Sequence, residues 1–447
     1  MHVLVTLQLF PYQEEGAAFL ARKERAGIFD DMGVGKSAQL IRALDLIGAK
    51  RGLVICPAAV REVWVGEFRK FAQRPRRILK GRDIQDLNLW LRGKADVLLL
   101  SYEMATAWAK RLEGDLMDFI IFDEAHYLKN DQSQRTRAML GSDCSGDYGL
   151  ARWAAHVWFG TGTPNPNDAA DIWSIMRFCK ATPLNRRIFR DRYYRQKVGT
   201  HSVQNTPRDE MLPELKQAIR SFSIRRTKKE AGLQLPPIWL TTVTVDGDTA
   251  EIRDLMRQYP DMEAAILQAI EAGGLSFIDA QHIATLRRLV GEAKAPAFVE
   301  LLAEELQDGL EQVVVFGLHV KALDHIEAGL LRRGVTVSRL DGSTPEKQRQ
   351  AAVEDFQAGR SRVFLGNIKA AGTGLTLTAA SDLIMFESSW SPADNAQALM
   401  RVHRIGQTRN VNARFITLAN SIDVVVSETV ARKTAAIAKT GFSSEHA

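Results

Sequence analysis

An α/β fold, two doubly wound parallel-sheet lobes with a mostly helical intervening segment, is what this 447-residue sequence predicts. Two observations carry the prediction. Short apolar, β-rich runs at Leu53 to Cys56, Val97 to Leu100, Phe119 to Phe122 and His156 to Phe159 alternate with helix-length segments. Continuous apolarity of that kind suits strands buried on both faces, as in a parallel sheet. A second series repeats the pattern at Val313 to Phe316, Val335 to Leu340, Val363 to Leu365, Leu383 to Phe386 and Arg414 to Leu418. The chain is also too long for one ordinary core and suits two or three domains.

Taken in order, Ile28-Phe29 closes a strand and leads into Asp30-Asp31-Met32-Gly33-Val34-Gly35-Lys36-Ser37, after which Leu40, Ile41, Leu44 and Ile47 keep helical spacing. Strand, loop and helix in that order make a phosphate cradle. Glycines let consecutive amides and the helix N-terminus face phosphate oxygens, Lys36 neutralises them, and Ser37 is placed to ligand magnesium. The generic pattern wants glycine where Asp30 stands. Asp118 to Phe122 is the next strand of interest, because it delivers Asp123-Glu124-Ala125-His126 at its carboxyl end. Asp123 there can hold magnesium through water, and Glu124 can orient and deprotonate an attacking water.

From about Lys180 to Gly309 the composition changes, with a polar loop (Gly199 to Arg208), Pro236-Pro237 and two helix-like segments. The lobe boundary is expected near Leu235 to Trp239. That gives an N-terminal lobe over 1–235 with a helical insertion at about 180–230, and a C-terminal lobe over 236–447 with a helical lead-in at about 248–309. Within the insertion, Arg186 to Lys197 interleaves arginines with Phe189, Tyr193 and Tyr194. Such a stretch either tracks a nucleic-acid backbone or packs its aromatics inward and leaves its arginines in water. Further on, Ser391 suits a helix N-cap, Pro392 the first helical position, and Asp394 stands three residues after the cap. If that helix continues, Gln397, Arg401 and Arg404 share one face at i, i+4 and i+7, aimed at a γ-phosphate. Trp390 is read as an apolar anchor for this helix, and the tail Gly441 to Ala447 as frayed.

Hydrophobic residues at 45% and charged residues at 25% are those of a globular protein. No apolar run approaches the ~20 residues of a membrane span, and Met1 to Thr6 lacks a signal peptide's charged start, so a cytoplasmic protein is expected. Cys56, Cys144 and Cys179 form no Cys-x-x-Cys pair, which argues for reduced, buried thiols rather than disulfides or structural zinc. His2, His201 and His325 have no metal-ligand spacing. A net charge of +6 and a pI near 9.1 favour polyanionic partners.

With these residues in view, the sequence resembles the Swi/Snf-type branch of helicase superfamily 2 over nearly its whole length. Asp30 to Ser37 looks like that branch's own phosphate loop, with Asp31 and Ser37 in place of its more usual Glu and Thr. Leu9 to Gly16 is similar to its opening motif, which implies that Gln13 reads the adenine of ATP. The resemblance further implies nucleotide contacts from Met32, Gly33, Val34, Gly35, Lys36, Ser37, Asp123 and Gly374, and magnesium held largely through water at Ser37 and Asp123. Thr161-Gly162-Thr163-Pro164, with His126, looks like the motif that couples hydrolysis to lobe movement. Phe222 to Lys228 with Leu235-Pro236-Pro237 resembles the interlobe signature, and Gln397 to Gln407 the last motif. Catalytic roles then fall to Glu124, Lys36, Gln397, Arg401 and Arg404. Ile368 to Thr376 and Trp390-Ser391-Pro392 look more like annealing helicases than nucleosome remodellers, and a compact bacterial or phage protein is the setting implied.

The family fold is two RecA-like lobes with ATP between them, and its members track duplex DNA without separating the strands. This implies an ATP- and Mg²⁺-dependent duplex-DNA translocase, monomeric, away from membranes and gripping phosphates rather than base edges. Arg61, Ser101, Thr163, Lys369 and Thr373 are the phosphate contacts it implies. Two other readings stay open: an ATP-driven remodeller of a DNA-bound protein such as a polymerase, and the motor subunit of a nuclease or restriction complex.

Overall fold

The computed structural model describes residues 7–162, 169–198, 203–264, 266, 280–371 and 375–440. They fall into two compact units, one running to Leu233 and the other starting at Gln234.

In the first unit the strands are β1 (Arg25–Ile28), β2 (Gly52–Cys56), β3 (Ile78–Leu79), β4 (Val97–Ser101), β5 (Met117–Asp123) and β6 (Ala154–Gly160). A two-stranded antiparallel ribbon, β7 (Tyr194–Val198) with β8 (Val203–Pro207), stands apart from the sheet, and β9 (Ser223–Ile224) returns to its edge. The order is β3-β4-β2-β5-β6-β1-β9, parallel throughout. Strand periodicity explains why these runs are apolar at every position. Leu53, Ile55, Leu98, Leu100, Ile120 and Phe122 face one layer of helices with Trp90, Trp108 and Phe178. Val54, Cys56, Val97, Leu99, Phe119 and Ile121 face the other, with Leu40, Leu44, Trp64 and Phe68.

The second unit holds β10 (Ile238–Val245), β11 (Val313–Gly317), β12 (Val337–Leu340), β13 (Val363–Asn367), β14 (Asp382–Met385) and β15 (Val411–Leu418). Their order is β10-β15-β14-β11-β13-β12, again all parallel. Phe298, Val299 and Leu302 of the helix Ala280–Gln307 pack over Val313, Val315, Ile384 and Ile416. The predicted α/β class and both parallel sheets are therefore present.

Two expectations need correction. The helix capped by Ser391 does not reach the arginines; it spans Pro392–Leu399, with Met400 as its C-cap. Beyond it the chain tightens into i→i−3 turns, Arg401 N to Ala398 O (3.1 Å) and Val402 N to Leu399 O (3.1 Å), so Gln397, Arg401 and Arg404 share no helical face. Cys56 and Cys144 are buried as expected, but Cys179 is only partly covered; all three are free thiols. Among the described residues no helix is long and apolar enough to cross a membrane.

Candidate active site

Register brings three strand ends together. Ile28 and Asp123 both pair with Gly160, so β1, β6 and β5 finish abreast, with β6 between the other two. Ligands of open parallel sheets gather beyond such carboxyl ends. From β1 the chain enters the loop, where Gly33 (φ 83°) and Gly35 (φ 86°) take the left-handed conformation that glycine tolerates best. A Cβ on Gly35 would also lie 2.2 Å from Nε2 of Gln13. That amide explains the packing: Gln13 Nε2 donates to Val34 O (3.1 Å), the Tyr12 hydroxyl donates to the same oxygen (2.9 Å), and Gln13 Oε1 accepts from Phe10 N (3.0 Å). Gln13 thus braces the loop whose neighbour, the helix Lys36–Leu46, starts with Lys36 and Ser37.

Lys36 Nζ donates to the carbonyls of Asp30 (2.9 Å) and Asp31 (3.2 Å). Burial lowers its pKa, while Glu124, Asp30 and Asp123 pull it back up. At the end of β6, Thr161 is fully buried, and a Cβ on Gly162 would stand 2.7 Å from Met32 Cγ and 3.2 Å from Lys36 Nζ. A side chain here would have to displace the Met32 and Lys36 side chains.

At the end of β5 the two acids are held differently. Asp123 Oδ2 accepts from Trp64 Nε1 (2.8 Å) and its Oδ1 from Glu124 N (3.0 Å). Burial and then the Glu124 charge raise its pKa to about 6, with Trp64 and Lys36 opposing. A carboxylate left in that condition suits a divalent cation, whose charge would relieve both causes, so the residues present fit magnesium. Glu124 sits at φ 51°, a left-handed geometry costing about 1–2 kcal/mol for a side-chain-bearing residue. This turn takes it out of the strand line, with its carboxylate 3.3 Å from His126 Nδ1. The same nitrogen lies 3.2 Å from Thr161 Oγ1, so His126 bridges the acid at the end of β5 to the end of β6.

In the second unit the turn after Leu399 is fixed from several sides. Arg404 Nη1 donates to Leu375 O (3.0 Å), Leu377 N to Arg401 O (2.9 Å), and buried His403 meets Pro236 O through Nε2 (2.8 Å). Gln407, also buried, donates from Nε2 to Ala380 O (2.7 Å) and accepts at Oε1 from Thr408 N and Arg409 N (both 3.0 Å).

Comparison with known proteins bears on what this arrangement is. The SNF2-related domain matches residues 12–253, more than half of the chain, and the helicase conserved C-terminal domain matches residues 293–406. The chain belongs to the SNF2-related family. A Mycoplasma pneumoniae protein named an uncharacterized ATP-dependent helicase is 28% identical, over 96% of this chain and 42% of its own. The Drosophila melanogaster SWI/SNF-related matrix-associated actin-dependent regulator of chromatin subfamily A-like protein 1 is likewise 28% identical, over 98% of this chain and 57% of its own. This SNF2-related chain thus spans about half the length of such relatives. The Sulfolobus solfataricus SWI2/SNF2 ATPase core solved with dsDNA shares 22% identity over 98% of this chain and 96% of that one, at a TM-score of 0.45 that supports no reading of function.

Within this SNF2-related site, sequence reasoning missed what Asp30 and Asp31 do. Asp30, wholly buried, accepts from Gln39 Nε2 (2.9 Å) and from Arg226 N (2.8 Å), and the Arg226 guanidinium lies 3.4 Å from it. Arg226 also donates to Gln39 Oε1 (3.3 Å) and to Tyr12 O. Asp31 accepts from Lys228 N (3.1 Å), and its own amide donates to Arg226 O (2.9 Å). Asp30, which stands where the generic motif has glycine, and its neighbour Asp31 therefore fasten the segment Arg225 to Lys228 along the phosphate loop. The departure from the generic motif was the available signal.

The phosphate-contact candidates fare unevenly. Ser101 is buried and caps the helix Tyr102–Leu112 through Met104 N (3.2 Å). Arg61 donates to Lys80 O (3.0 Å) and Gly81 O (3.3 Å). Thr163, Thr373 and Gly374 lie outside the described residues, as does the Lys369 side chain and as do His2 and His201. Among the described residues no cluster of three or more His, Cys, Asp or Glu could hold a metal.

Proposed function

We propose that the protein is an ATP-dependent translocase of duplex DNA. The observation that supports it most is the abutment, at the ends of β1, β6 and β5, of a glycine cradle with Lys36 and an acid pair with unequal surroundings. Gly33, Gly35, Lys36 and Ser37 would hold the phosphates, Asp123 and Ser37 the magnesium through water, and Glu124 would take the proton of the attacking water. Magnesium supplies charge neutralisation on the phosphates. His126, touching both Glu124 and Thr161, would carry the change at the acid to the strand end that follows. By the resemblance of the last motif, Arg401, Arg404 and Gln397 would serve the γ-phosphate, and Gln13 would read adenine. Strand annealing is the finer reading that the second-lobe likeness supports.

The deciding measurement is phosphate release with single-stranded, duplex and forked DNA, paired with triplex displacement. Duplex should stimulate hydrolysis most and displace the third strand only when ATP is present. Equal hydrolysis with and without DNA would overturn the reading, and so would salt-insensitive DNA binding.

A further inference from the structure

Between Asn185 and Phe222 stand nine Lys or Arg against four Asp or Glu, a net +5. Seven of the nine are arginine, whose planar fork matches phosphate oxygens. The helix Arg186–Tyr193 carries the first of them, and its two faces differ sharply. Phe189 and Tyr193 are buried with Tyr194 in the first unit's core, and Phe189 stacks at a tilt on Tyr193 with centroids 4.9 Å apart. The aromatics are therefore anchors and unavailable to bases. On the outer side, the side chains of Arg187, Arg190 and Arg192 are 86%, 40% and 48% exposed.

Arg187 and Arg190 are loosely held. Asp191 approaches Arg187 and Arg190 only to 4.0 and 3.9 Å. Arg192 grips Glu214 with two bonds (2.8 and 3.2 Å), which ties this helix to the next, Leu212–Phe222. That second helix buries Leu215 and Phe222 and exposes Lys216 and Arg220. Exposed ion pairs contribute little, so a phosphate exchanges for a carboxylate at small cost.

We infer that this pair of helices is a second grip on the DNA backbone, outside the motif loops of the nucleotide lobe. The inference rests on the duplex-DNA reading above. A basic surface of this kind favours a polyphosphate over a protein partner, because Ile188 is the only large apolar side chain exposed on these two helices, and protein interfaces need an apolar centre. Phosphate contacts of this kind are blind to sequence, as a tracking motor requires.

Fluorescence anisotropy on a mixed-sequence duplex at several salt concentrations tests it, comparing wild type with Arg187→Gln/Arg190→Gln and, separately, Lys216→Gln/Arg220→Gln. Each pair should weaken binding about tenfold and reduce the slope of log K against log salt by about 2, with DNA-free hydrolysis and the melting curve unchanged. Binding and slopes equal to wild type in both double variants would overturn the second grip while leaving the translocase reading intact. Wild type failing to bind duplex would instead strike the translocase reading itself. Polyglutamate competing as well as duplex would make the surface a site for acidic protein and overturn the inference.

Discussion

Asp123 is where pH should enter. Its raised pKa means that the free protein takes up a proton there more readily than the unfolded chain does, between the ordinary 3.8 and about 6. Stability from this group therefore falls as pH rises across that window, while the proposed metal-dependent nucleotide binding, which would need the anion, should be present above about 6 and be lost below it. Trp64→Phe removes a hydrogen bond that favours the anion and should move the binding midpoint upward, as followed by fluorescent-nucleotide titration; an unmoved midpoint would contradict the assignment. Arg226 offers a second test. Alanine there strips buried Asp30 of its guanidinium at a cost of about 3 kcal/mol, which for a unit of this size lowers its melting temperature by roughly 6–12 °C. Calorimetry that finds no shift would make the contact idle. The placement of Lys36 at a helix start and of Glu124 just past a strand end was legible in the sequence because each lies in a local run. The Asp30 partner was not, standing 196 positions away.

Strands declared themselves through apolarity, and most of those foreseen are buried on both faces, with the edge strand β12, buried at alternate positions, an exception. β10 escaped for the opposite reason: it is an edge strand with half its positions open, Trp239 59% exposed, and its alternation looked like a connecting segment. β3 and β9, two residues each, are too short to leave a pattern. The helix before Arg401 was overrun because capping signals mark its start, whereas its end is imposed by contacts distant in sequence, at Leu375, Leu377, Ala380 and Pro236. Gln407 is the chief of these fasteners. Gln407→Ala would leave buried carbonyls and amides unpaired, costing roughly 2 kcal/mol, and would loosen the turn that carries both arginines. Turnover should fall severalfold while nucleotide affinity in the first unit stays near wild type. A variant with normal turnover would show that this turn does not position the arginines.

By the resemblance of the last motif, Arg401 and Arg404 of the second unit are proposed to serve the γ-phosphate, and turnover tests that role. The first unit holds the loop, the acid pair and the lysine; the second holds the turn with Arg401 and Arg404. A phosphoryl transition state spreads negative charge over oxygens that a single cradle reaches from one side only. If the second unit supplies the missing positive charge, Arg401→Ala and Arg404→Ala should each lower turnover by about 10³ to 10⁵, equivalent to roughly 4–7 kcal/mol, with nucleotide affinity and fold retained. Glu124→Gln should likewise bind without hydrolysing. The combination is the sharper experiment. Groups that act in the same step are grossly non-additive, so Glu124→Gln with Arg401→Ala should be little slower than Glu124→Gln alone. Full additivity would mean that the arginines act elsewhere, for example in gripping DNA. Wild-type turnover in both alanine variants would leave the first unit hydrolysing ATP by itself, and the proposed coupling of hydrolysis to movement would lose its basis.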